Sequence, residues 1–349
     1  MVHGITRSDK EYRKLPFDSS SSLKEFSLDR KKYQKRYILG EDIIEEDSKA
    51  SIIGKLVETL LLEEEQFDNR FYLSACLNTP TGLGLAFCES LWRYTKEATD
   101  EEGNVTRTFA EISQDAYTES GYKIPYDTVM KKFLGSELEI YYDEIRNVRS
   151  KGLTVVTAKD VTNAENIVAE LKNNEFTKDI INLVSSSRYD VRNQLQVEGF
   201  TIDKHPMKAM MDLLIVDHQK QTISVYDLKV TWEVERFYES YFLYRLAYIQ
   251  AFVYYGAALY LTKTEEDLKD YKVIPMQFIV CDSSNYYAPL IYQMTEADLE
   301  DAYNGFSYKG KYYPGVKTII SDLKWALSEN IWNISKTNYG LRGVVPLRD

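Results

Sequence analysis

Cysteine and histidine are scarce in this chain, and long apolar runs are missing. Three cysteines (Cys76, Cys88, Cys281) and three histidines are scattered over 349 residues. The cysteines are odd in number and show no C-x-x-C spacing. That excludes a disulfide framework, an iron–sulfur cluster and a structural zinc site, and reads instead as buried thiols. No uninterrupted apolar stretch reaches the roughly 18 residues a membrane span needs. The amino terminus MVHGITRSDKEYRK has no signal-peptide core, so a cytoplasmic protein with no membrane partner is expected. The run Gly82-Leu83-Gly84 is too short for a dinucleotide fingerprint. There is no internal repeat and no long linker.

What is present is a globular composition, with 44% apolar residues and 13% aromatics, enough for a packed core. The 28 tyrosines are expected to be mostly core and surface aromatics. A net charge of -11 argues against a protein that coats nucleic acid, but the charge is uneven. Residues 1–40 hold ten Lys and Arg against five acids, so this segment is +5 and the remainder is -16. An acidic body with a basic arm could still grip a phosphate backbone.

The stretch MMDLLIVDHQKQTISVYDLKV places charges inside apolar runs. Residues 213–216 and 223–230 are branched and aromatic, and the polar residues between them make a hairpin. With a loop at 218–221, Asp217 faces Thr222, and counting outward Asp212 faces Asp227. Because side chains alternate along a strand, Lys229 shares the face of Asp227. Like charges directly opposed on paired strands are destabilising. Removing one of them, as in Asp227→Asn, is therefore expected to leave the metal-free fold as stable or more so. A divalent cation between the carboxylates would remove the conflict, since Mg²⁺ is typically held by one or two carboxylates, waters and a substrate phosphate. The plain alternative is a surface hairpin in which Lys229 salt-bridges both acids.

Around the hairpin, a serine run opens a helix over LKEFSLDRKKYQKRYIL, and a second helix covers 48–66, with Glu58 on a different side from its apolar face. Residues 85–183 are mostly helical in period, with breaks at 100–104, Gly121, Pro125 and Lys151-Gly152. A strand over 194–203 carries Glu198 and turns at Lys204-His205-Pro206. A long helix follows at 234–261 and an apolar strand at 273–281. Strand, strand, strand, helix, strand implies an α/β core with a mixed sheet. Three parts are expected: 1–84, an N-terminal helical portion with the Glu58 helix; 85–183, a helical insertion or subdomain; and 184–349, the catalytic sheet, the motif helix and the C-terminal region.

An Asp, then a second carboxylate two positions before a Lys on the adjacent strand, resembles the signature of the PD-(D/E)XK nuclease superfamily. Gln250 and Tyr254 in YRLAYIQAFVYYGA resemble the Gln-x-x-x-Tyr motif of RecB-family nucleases. ASIIGKLVETLLLEEEQFDNRF resembles the Gly-x-x-x-His-x-x-x-Leu-Glu helix of RecE-like phage exonucleases (exodeoxyribonuclease VIII-like), with Glu58 where the family has histidine. Met211 stands before Asp212, so the eponymous proline is absent. The resemblance implies a restriction-endonuclease-like core, flanked by helices, in a Mg²⁺- or Mn²⁺-dependent DNA exonuclease of phage-type recombination or replication. It implies Asp212, Asp227 and Glu58 as metal ligands, Glu198 as a lesser one, and Lys229 as the catalytic lysine. Gln250 and Tyr254 would position the DNA. It also implies a homo-oligomer, with a single-strand annealing protein as partner. The alternatives are a RecB-family endonuclease and a non-catalytic DNA-binding or replisome partner on a degenerate nuclease fold.

Overall fold

The computed structural model describes residues 7–41 and 48–345, with the backbone alone for Asp9 and Lys10. The first six residues, which carry part of the signal-peptide reading, lie outside the described residues. The chain divides into two compact units: Met1–Ile43 with Glu170–Asp349, and Ile44–Ala169. Among the described residues no helix is long and apolar enough to cross a membrane.

The first unit is built on a mixed sheet, so the chain is a mixed α/β protein. Its strands β1 (Tyr189–Ile202), β2 (His205–Asp217), β3 (Thr222–Thr231), β4 (Gln277–Asp282) and β5 (Leu290–Gln293) lie side by side in that order. β3 and β4 are parallel, and the other neighbours are antiparallel. Helix α2 (Ala247–Thr264) lies in the crossover from β3 to β4, as a parallel connection requires. β2 runs almost wholly buried, from Met207 to Asp217, and reads as a central strand should.

Three local features differ from the sequence expectation. The turn between β1 and β2 is Asp203-Lys204, both with positive φ, which is the backbone of a tight hairpin, so His205 and Pro206 already belong to β2. The helix expected over 234–261 is interrupted: a π-helical turn at Tyr238–Leu243 ends in Leu246, whose φ of 53° is left-handed, and α2 begins afresh at Ala247. The strand expected over 273–281 is split into Lys272–Val273 and β4, with Pro275 between them, a residue that has no N–H to give a ladder.

α2 is apolar around most of its circumference because it is covered on most sides. Ala247, Ala251, Ala257 and Ala258 are fully buried, and the core that encloses them includes Phe237, Phe278, Ile319 and Leu323. Helix α1 (Ser20–Leu28) is capped by Ser19, whose hydroxyl accepts from the Ser22 N–H, and it buries Leu23 and Phe26. Asp18 fixes where this helix starts. Its N–H donates to Pro206 O at 3.3 Å and its carbonyl accepts from Lys208 N at 2.7 Å, which joins the segment to β2. Its carboxylate accepts from Ser22 Oγ at 2.6 Å and Tyr33 OH at 2.9 Å and lies 2.8 Å from His205 Nε2. Asp18→Ala would leave these buried groups short of an acceptor and should destabilise the protein by about 2 kcal/mol, read by urea denaturation.

The second unit is mainly helical. It includes Lys49–Leu62, Gly82–Glu97, Phe109–Ser120, Tyr126–Phe133 and Glu137–Arg149, with a parallel pair of short strands, Phe71–Leu73 and Thr154–Val156. Phe87, Leu91, Ile112, Phe133, Tyr141 and Ile145 form its core. Arg149 pairs bidentately with the buried Glu89 and lies over the Trp92 ring. Asp100 accepts from the N–H groups of Glu102 and Asn104, making the break seen in the sequence there a hydrogen-bonded turn.

Candidate active site

The β2–β3 hairpin has the register that the loop length requires. Asp217 pairs with Thr222, and each step inward follows to Leu213 opposite Tyr226. The described ladder stops there. At the next position the strands part, and β3 pairs with β4 from Tyr226 to Thr231. Asp212 Oδ2 instead accepts the Leu228 N–H at 3.0 Å.

This parting changes the electrostatics expected of two opposed carboxylates. Each turns to its own partner. Asp227, with 0% exposure, accepts from Gln250 Nε2 at 2.7 Å through Oδ1 and forms an ion pair with Lys229 through Oδ2. Asp212 is 8% exposed. Burial would favour a neutral amine at Lys229, whose side chain is 13% exposed, but the negative charges of Asp227 and Asp212 override it, and its titration is moved upward. Lys229 is therefore an ammonium that offsets both carboxylates.

Gln250 and Tyr254 stand one turn apart on α2 and meet: Gln250 Nε2 is 3.1 Å from the Tyr254 oxygen. Burial first, then the charges of Asp212 and Asp227, hold Tyr254 well above the usual phenol range, so it stays protonated. On the other side of the amide, Lys24 of α1 donates to Gln250 Oε1 at 3.1 Å. An ammonium can only donate, so this contact sets the amide orientation: the oxygen faces Lys24, and the NH₂ group faces Asp227 and Tyr254. Burial pulls Lys24 down to about 8, helped by the positive charge of Lys229 and opposed by Asp227 and Asp212.

The structure thus brings Asp212, Asp227, Lys229, Gln250 and Tyr254 together and adds Lys24, which the sequence reading counted only as part of a basic arm. That arm is not a uniform positive surface. Arg7, Arg30 and Arg36 pair with Glu198, Asp322 and Glu25, while Lys24 turns inward. Glu198 is held bidentately by Arg7, at 2.9 and 3.3 Å. Glu58 lies half-buried on the helix Lys49–Leu62 of the second unit.

Among the described residues no group of three or more His, Cys, Asp or Glu side chains forms a preformed metal centre. The donors that are present still suit a hard divalent ion. Asp212 and Asp227 supply carboxylate oxygens, and Asp227 Oδ2 is buried with the Lys229 ammonium as its partner.

Among solved structures, the chain is similar to a "Putative exonuclease" from Eubacterium rectale, with a TM-score of 0.47 and 13% identity, over 99% of this chain and 90% of that one. No protein-family model matches the sequence, and no curated protein matches it.

Proposed function

We propose that this chain is a metal-dependent DNA exonuclease on a PD-(D/E)XK-type core. The observation that supports it most is the buried set of two carboxylates and a lysine where β2 and β3 part, completed by Gln250 and Tyr254 from the crossover helix. A surface salt bridge would not need two acids, a lysine, an amide and a phenol in one buried place.

Asp212 and Asp227 would hold Mg²⁺ or Mn²⁺. When bound, such an ion supplies hydroxide near neutral pH and neutralises charge on the phosphoryl oxygens. The chain's own groups then have distinct tasks. Lys229, held as an ammonium by the carboxylates, can orient the attacking water by hydrogen bonding and stabilise charge that develops on the phosphate. Gln250 fixes the Asp227 carboxylate. Tyr254, kept as a neutral phenol, has an O–H to donate.

End-labelled linear duplex and closed circular DNA distinguish the possibilities. Linear DNA should be degraded with Mg²⁺ or Mn²⁺ and spared in EDTA, while closed circles survive. Efficient cutting of circles would make the protein an endonuclease. DNA binding without cleavage under any metal would make it a non-catalytic relative, and full activity in EDTA would remove the metal mechanism.

A further inference from the structure

We propose that Lys24 is a DNA-contacting residue, which together with Lys229 receives a backbone phosphate of the strand being cut. This rests on the nuclease reading above and assigns the site a second cation, drawn from α1.

Lys208, Arg149 and Lys229 each have their acceptors. Lys208 Nζ donates to the carbonyls of Tyr12, Arg13 and Leu15 at 2.9, 3.1 and 3.0 Å. Arg149 has Glu89, and Lys229 has Asp227. Lys24 is different. Among the described residues its ammonium makes one hydrogen bond, to the neutral amide oxygen of Gln250, and no ion pair. An ammonium carries three N–H donors, and a partly buried one without a carboxylate or a set of carbonyls is costly to hold.

The position is not accidental, because Asp18 ties the start of α1 to β2, and Leu23 and Phe26 seat the helix in the core. Lys24 is thereby turned toward the carboxylate–lysine centre, where Lys229 repels it and Asp227 and Asp212 attract it. Its two remaining N–H donors are left for an acceptor from outside the chain. The anion that a phosphodiester-cleaving site must accept is a phosphate. Lysine serves as a point charge for such an oxygen, with its spare donors free to follow the backbone.

The test measures fluorescence-anisotropy titrations of a labelled linear duplex in EDTA, across a series of KCl concentrations, for wild type, Lys24→Met and Lys24→Arg. Each lost phosphate contact should reduce the slope of log K against log salt by about 0.9. Lys24→Met should show that reduction, and Lys24→Arg should restore the slope. Lys24→Gln replaces Lys24→Met if the methionine variant does not fold. A merely structural role, bracing Gln250, would lower turnover and leave the slope unchanged, and that result overturns the proposal while leaving the nuclease reading intact. If wild type neither binds nor cleaves DNA with any metal, the nuclease reading falls and this inference falls with it.

Discussion

Lys229→Met should destabilise the metal-free protein by about 3–5 kcal/mol, because it leaves the fully buried Asp227 carboxylate with the Gln250 amide and no ion-pair partner. The double variant Asp227→Leu/Lys229→Met should recover most of that loss, since replacing a buried ion pair by apolar groups is often neutral or stabilising. Denaturant melts in EDTA read both. A loss below about 1 kcal/mol for Lys229→Met would mean that the pair behaves as an exposed surface bridge. Asp227→Asn, expected from the sequence to relieve repulsion, is now expected to destabilise. Asp227 accepts from Gln250 on one oxygen and pairs with Lys229 on the other. An Asn there must point its NH₂ at one of those donors, and flipping Gln250 to suit it would turn a donor toward Lys24.

Asp212→Asn should act the other way, removing function and sparing the fold. The Asn oxygen can still accept the Leu228 N–H, and the Asp227–Lys229 pair keeps both members, so the variant should stay folded without metal. Cleavage of linear DNA should fall on the order of a hundredfold or more, the scale of losing one group that stabilises transition-state charge. A folded Asp212→Asn variant that cleaves at the wild-type rate would exclude Asp212 from the chemistry.

Much of the hairpin was legible because its signals are local. Two apolar strands around a polar loop fix the register by counting, and the structure has Asp217 opposite Thr222. The meeting of Gln250 and Tyr254 follows from helical spacing alone. What counting could not show is that the ladder stops after Leu213, beyond which β3 keeps only the pairing on its other edge, with a strand some fifty residues later in the chain. The repulsion expected between Asp212 and Asp227 was therefore overstated. Lys24 was hidden for a related reason. Its partner Gln250 lies 226 residues away in sequence, and a lysine among nine other basic residues reads as a solvated face. The available signal was its place between Leu23 and Phe26, which are both buried. Glu198 shows the same limit, as an acid on a strand whose partner, Arg7, comes from the N-terminal segment. The break at Leu246 left no mark either, because aromatic and aliphatic residues run through it without a glycine or proline.

Metal binding by the carboxylate pair is the centre of the account, and thermal melts of wild type and Asp212→Asn with and without Mn²⁺ test it most directly. An ion that binds the native state alone adds RT ln(1 + [L]/Kd), about 2.7 kcal/mol at roughly a hundredfold excess over Kd. Wild type should show a clear rise in Tm that EDTA reverses, and Asp212→Asn, equally folded without metal, should lose most of that rise. Equal shifts in the two proteins, or none in wild type at millimolar Mn²⁺, would contradict the assignment of Asp212 and Asp227 as a divalent-cation site.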